Sequence, residues 1–200
     1  MGWQVFGIAI PTKLKEYHLD DIADFLSSSS IIEASSVYNR NVHNTTICRY
    51  ETGILIFNKE LANLFFQQEI SGFERRLFDY FDKPECILGV ISTDDCYVGY
   101  SVVTYEFIKR FRINNEHDIS EITDYGEPVS EEIVWLNALK KEIQETEDWS
   151  FEVSYFLDNP EEIFVPWEVL RLIQIDIMNN RFGYYWEDAG IEMKNYRIKI

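Results

Sequence analysis

The stretch from Glu85 to Ile113 constrains the fold most. It reads Glu85-Cys86-Ile87-Leu88-Gly89-Val90-Ile91-Ser92, then a polar break at Thr93-Asp94-Asp95, then a run from Cys96 to Ile113 rich in Tyr, Val, Phe and Ile. β-Branched and aromatic side chains suit a pleated, half-buried surface. A short polar break between two such runs reads as a hairpin. A tight turn at Thr93–Asp95 would set Cys86 opposite about Ser101. The second arm is too long for one strand, so a bend or second hairpin is expected near Tyr105-Glu106. This stretch is therefore expected at the centre of an antiparallel sheet.

The rest of the chain supplies shorter elements. Trp3–Ile10 reads as a first strand ended by Pro11, and Asp20–Leu26 as a short helix with Ile22, Phe25 and Leu26 on one face. The serines Ser27 to Ser30 read as a loop. Ile31–Tyr38 and Thr46–Phe57 are strand candidates, with Gly53 a turn or bulge in the second. Asn58 suits the N-cap of a helix from Lys59 to about Gln68. Phe73, Leu77, Phe78 and Phe81 space as another helix, stopped by Lys83-Pro84.

Asn114–Val129 reads as a polar, turn-rich connection. Ser130 is expected to cap a helix with Ile133, Leu136, Leu139 and Ile143 along its buried stripe. Trp149–Leu157 is a strand candidate. Asn159-Pro160-Glu161-Glu162 carries a capping-box pattern, and Pro166 reads as an interruption before a helix from Trp167 to Asn180. That helix is apolar around most of its girth, with Glu168, Arg171 and Gln174 as a polar edge, so it is expected to lie buried across the sheet. Gly183 is its expected stop. Tyr184–Trp186 and Tyr196–Ile200 are closing-strand candidates. Strands and helices do not alternate strictly, which predicts an α+β class: a mainly antiparallel sheet with helices packed on it, as one compact domain over residues 1–200.

Charge narrows the function. Eighteen basic against thirty-five acidic residues leave a net charge of −17. Phosphate backbones and anionic membranes repel such a chain, so neither nucleic acid nor membrane is an expected partner. The segment 114–162 alone holds fifteen acids against Lys140 and Lys141. Uniform solubilising charge would not gather in a quarter of the chain. Lys109, Arg110 and Arg112 stand just before it, and the two arginines are expected either to brace the acidic segment or to form an anion pocket.

Other chemistry is sparse. Cys48, Cys86 and Cys96 lack C-x-x-C spacing and nearby histidine pairs, so no metal site and no cofactor are expected. The expected hairpin register argues against a Cys86–Cys96 bridge, and reduced thiols in a cytoplasmic protein are expected. Residues 1–10 lack the basic lead and cleavage pattern of a signal peptide. His18, His43 and His117 stand far apart and read as surface residues. Cys48 with His43 imitates a nucleophile and base, but Cys48 lies in a strand pattern and reads as core. There is no G-x-G-x-x-G, P-loop, G-x-S-x-G or calcium-loop pattern. Paired carboxylates are too many to single out, so no catalytic residue is assigned.

In general character the chain is similar to small acidic bacterial proteins with sheet-plus-helix folds, including immunity proteins that block toxins. The leading expectation is a non-enzymatic cytoplasmic protein that binds a basic partner protein through Glu116, Asp118, Glu121, Asp124 and Glu127, with Arg110 and Arg112 at the junction. Two alternatives stand beside it. One is a hydrolase or small-ligand enzyme using carboxylates in an aromatic-lined cleft. The other is a structural subunit whose aromatic surplus forms an oligomer interface.

Overall fold

A computed structural model describes residues 4–12, 17–28, 42–93, 97–114, 122–146, 149–156, 164–184 and 190–199, with the backbone path alone for 28, 42–44, 139–146, 149–156 and 199. Strands β1 (Gln4–Pro11), β2 (Val42–Tyr50), β3 (Gly53–Phe57), β4 (Cys86–Thr93), β5 (Val98–Thr104), β6 (Lys109–Asn114), β7 (Ile122–Tyr125) and β10 (Glu192–Lys199) form one sheet. Their order is β10-β2-β3-β1-β4-β5-β6-β7, and every pairing is antiparallel. Strands β8 (Leu139–Thr146) and β9 (Trp149–Phe156) form a separate two-stranded ribbon.

Helices cover both faces of the large sheet, which is why its central strands are apolar on both sides. On one face α1 (Leu19–Ser28), α2 (Lys59–Asn63) and α3 (Gly72–Tyr80) pack Ile22, Leu61, Phe73 and Leu77 over Ile8, Ile56, Ile87, Val103 and Phe111. On the other face α4 (Ile133–Leu136) and α5 (Pro166–Ile177) bring Trp135, Val169, Leu170 and Ile173 over Ala9, Leu55, Leu88, Tyr100 and Val102. Strand alternation sorts neighbouring residues into these two cores. Each fully buried Ile, Leu or Phe stabilises by about 1.5–3 kcal/mol. The α+β class read from the sequence is the observed one. No helix among the described residues is long and apolar enough to cross a membrane.

The 85–113 stretch forms three consecutive antiparallel strands as expected, but only β4 is central, β5 and β6 run out toward the β7 edge, and the register differs. Ser92 pairs with Val98 and Cys86 with Thr104. Thr93 N donates to Tyr97 O at 3.0 Å, so the connection is longer than a tight turn and the pairing slides along β5. Cys48 and Cys86 are buried free thiols. The expected break near Tyr105 is a second hairpin, with Thr104 N bonded to Ile108 O and Phe107 in the left-handed region at φ 60°.

Several local expectations give way to pairing. Thr46–Phe57 is two strands, β2 and β3, turning at Glu51-Thr52. Gly53 opens β3 because a Cβ there would lie 2.1 Å from Ile10 O. Helix α1 continues through Ser27 and Ser28, with Ser27 Oγ donating to Ala23 O at 2.8 Å. The polar 114–129 connection contains β7, paired with β6. The helix expected from Ser130 stops after Leu136, so Leu139 and Ile143 lie on β8. Pairing with β9 overrides the helical preference of this Leu-, Lys- and Glu-rich stretch.

Caps were more legible. Asn58 Oδ1 accepts from Leu61 N at 3.0 Å. The helix it starts passes into one tighter turn at Leu64–Phe66 and ends there, short of Gln68. Ser71 and Glu74 form a full capping box, of which S-x-x-E is the sequence signature: Ser71 Oγ accepts from Glu74 N at 3.1 Å and Glu74 Oε2 from Ser71 N at 2.6 Å. Pro166 is the first residue of α5 rather than an interruption, because its fixed φ suits that position. Glu168 Oε2 accepts from Val165 N at 3.0 Å. The helix runs on through a wider turn at Met178–Phe182 to Gly183, at φ 87°. Ile31–Tyr38 and Asn159–Glu162 lie outside the described residues, as does Tyr184–Trp186 beyond Tyr184.

Candidate functional site

Strand β6 decides the geometry of the junction. Its alternation sends Lys109, Phe111 and Ile113 to the α3 face and Arg110 and Arg112 to the α5 face. The basic trio is thereby split. Lys109 Nζ lies 2.6 Å from Glu74 Oε1 and donates to Gln67 O at 2.9 Å and Glu69 O at 3.3 Å. Burial lowers the pKa of this ammonium group, and Glu74 opposes the shift.

On the other face, register brings Tyr100, Arg112 and Asp124 into one row across β5, β6 and β7. Arg110, one pair further along, reaches Glu132. Its Nε donates to Glu132 Oε1 at 2.7 Å and its Nη2 to Glu132 Oε2 at 2.5 Å. Its Nη1 pairs with Asp124 Oδ1 and donates to Gly126 O at 2.8 Å and Tyr125 O at 3.2 Å. Arg112 Nε lies 3.1 Å from Asp124 Oδ2, and its Nη1 4.0 Å from Glu132 Oε2. Glu132 Oε1 also accepts from Val129 N at 3.2 Å. Two guanidinium groups thus meet two carboxylates, a neutral quartet.

Burial within the quartet is uneven. Arg110 is 4% exposed and the Glu132 side chain 0%, whereas Asp124 is 47% exposed. Burial disfavours the charged guanidinium of Arg110, but the hydrogen bonds to Glu132 and Asp124 outweigh it and raise its pKa. Burial, then the charge of Glu132, raises the pKa of the Tyr100 hydroxyl. The quartet is a brace: it fastens β7 and the turn before α4 to the sheet. Gly126 makes the fastening possible, because its φ is 83° and a Cβ would stand 2.2 Å from Lys109 O. A second clamp lies next to it. Arg181 Nε and Nη2 hold Glu131 Oε1 and Oε2, both at 2.9 Å.

The expected contact residues are therefore divided. Arg110 and Arg112 are buried and turned inward, a bracing arrangement rather than an exposed anion pocket. Asp124 and Glu127 are exposed on the same junction. Glu116, Asp118 and Glu121 lie outside the described residues. Glu131 and Glu132 lie in the turn that leads into α4, and each is also held by an arginine, a pairing between residues distant in sequence that no local pattern announces. Beside them stands Ile133, expected on a buried helical stripe but exposed in the structure, as is its neighbour Val134.

Other chemistry is placed as follows. Burial pushes the Cys48 thiol up to about 11, the opposite of an activated nucleophile. Among the described residues no three His, Cys, Asp or Glu side chains group as metal ligands. Away from the junction a cavity of about 710 Å³ is lined by Tyr17, Phe81, Glu51, Asp82 and Glu85 among others. Asp82 and Lys83 on its rim have φ of 59° and 55°, Lys83 standing directly before Pro84. Comparison with protein-family models, with curated proteins and with solved structures found no match to this chain.

Proposed function

We propose that this chain is a non-enzymatic acidic protein of the cytoplasm that binds a basic partner protein, in the character of bacterial immunity proteins, through the junction of β6, β7 and α4. The observation that carries this reading is the internal use of the local cations. Arg110 and Arg112 are spent on Asp124 and Glu132, and Arg181 on Glu131. These pairs cancel only part of an excess of thirteen negative charges over residues 114–162. The remaining field favours a cationic surface and speeds its approach.

The test is capture of partners from native lysate at low and high ionic strength. A basic protein retained at low salt and released at high salt supports the reading. Absence of a partner, or retention indifferent to salt, overturns it.

The cavity supports a second reading. Tyr17 and Phe81 beside Glu51, Asp82 and Glu85 match the aromatic, carboxylate-bearing cleft of a small-ligand enzyme. Thermal-shift screening against glycosides and nucleosides, with Glu51→Gln as control, tests it. A hit abolished by that substitution would favour the enzyme, and a blank screen would count against it.

A further inference from the structure

Six large apolar side chains are conspicuously exposed among the described residues: Tyr105, Ile108, Ile133, Val134, Ile191 and Met193. They fall into two groups. Ile191 and Met193 belong to the β10 edge, where Lys194 and Arg197 follow. Ile108, Ile133 and Val134 belong to the braced junction. Ile108 lies two residues before Arg110, and Ile133 directly after Glu132. The bidentate Arg110–Glu132 pair therefore ties the two apolar sites to one another.

Local folding holds this group outward. Trp135 is buried against Phe164, ring centroids 5.3 Å apart, which anchors α4 and leaves Ile133 and Val134 on its solvent side at 48% and 60% exposure. Ile108 is 59% exposed at the end of the β5–β6 hairpin. Glu106, Asp124 and Glu127 are the exposed charged residues nearest in chain and register. The cations close by in sequence, Lys109, Arg110 and Arg112, are buried.

We infer that Ile108, Ile133 and Val134, flanked by Glu106 and Glu127, form the docking surface for a protein segment that presents an apolar side chain between lysines or arginines. The inference rests on the reading of this chain as a binder of basic partners and specifies the surface and the partner's chemistry. Carboxylates alone steer an encounter and set its salt dependence; desolvated apolar anchors supply most of the lasting affinity. The junction combines the two. At the β10 group the carboxylate between the two apolar residues, Glu192, is already paired with Arg49 and Lys194.

The experiment uses two synthetic peptides of equal length and equal positive charge, one of lysine and leucine in amphipathic spacing, the other of lysine and serine. Affinities are measured by isothermal titration calorimetry at fixed ionic strength, and circular dichroism verifies the fold of each variant. Ile133→Asn with Val134→Asn is expected to weaken the lysine–leucine peptide by about tenfold or more and to leave the lysine–serine peptide unchanged. Glu127→Lys is expected to weaken both, and Ile191→Asn with Met193→Asn neither. If both peptides bind and the Ile133/Val134 variant matches the parent, the docking surface is wrong while the reading of a basic partner survives. If neither peptide binds, both fall.

Discussion

Arg110 and Glu132 face each other as a two-point ion pair inside the protein, Nε to Oε1 at 2.7 Å and Nη2 to Oε2 at 2.5 Å, across twenty-two residues of sequence. Removing one member leaves the other charged and out of water. Glu132→Leu is expected to cost about 3–5 kcal/mol of stability, the usual penalty of a stranded buried charge. Arg110→Met in the same chain is expected to recover more than half of that loss. Urea unfolding of the single and double variants measures both quantities. Additive losses would show that the two residues do not act as a pair.

Gly126 lets the same brace close. An alanine there would have to hold φ at 83° and place its Cβ 2.2 Å from Lys109 O. Gly126→Ala is expected to destabilise by about 1–2 kcal/mol from the left-handed backbone, with the overlap adding to it. Hydrogen exchange at Arg110 to Arg112 should rise with it, because β7 must move off β6. Unchanged exchange together with unchanged stability would refute this account.

Acid should release the neighbouring clamp. Burial pulls the Glu131 carboxyl upward, but hydrogen bonds from Arg181 outweigh it and hold the group below its usual 4.5. The unfolded chain therefore takes up this proton at higher pH than the folded one. The stability due to the pair is full above about pH 4.5 and is lost as pH falls through the folded value. Glu131→Gln should flatten that part of the stability–pH curve. A variant whose curve keeps the parent's acid slope would show that Glu131 does not carry it.

Gln174 pins α5 to the sheet. Its Nε2 donates to Ile91 O at 3.0 Å and to Gly99 O at 2.5 Å, two residues that face each other in the β4–β5 ladder. Gln174→Leu is expected to cost about 1–3 kcal/mol by leaving buried carbonyls unmet. Gln174→Glu should cost more at neutral pH than at acid pH, because a carboxylate would oppose the two carbonyl oxygens and a carboxylic acid would not. Equal losses for Glu at both pH values would argue against this contact.

Gln174 also marks where sequence reading stops. By helical spacing it belonged with Glu168 and Arg171 on a polar edge, yet it is buried. Spacing identifies a face, and only the neighbouring sheet decides whether a polar residue on that face finds acceptors. The Leu136–Thr146 region shows the same limit. Its helical pattern was plausible locally, and its partner strand lies beyond the span of any local rule.

What the sequence determined by itself was local and short-ranged: the hairpins of 85–113, the cap at Asn58, the stop at Gly183, the buried α5 and the concentration of acid over 114–162. Each depends on alternation, helical spacing, capping chemistry or charge count within a few residues. The tertiary structure alone decided the strand order, the sliding of β5 against β4 and the partners of Arg110, Arg112 and Arg181. It also decided which apolar residues stay outside. Ile133 and Val134 are exposed because Trp135 takes the inward position and Glu132 is drawn to Arg110. Neither the core nor the ion pair exists until distant strands have met.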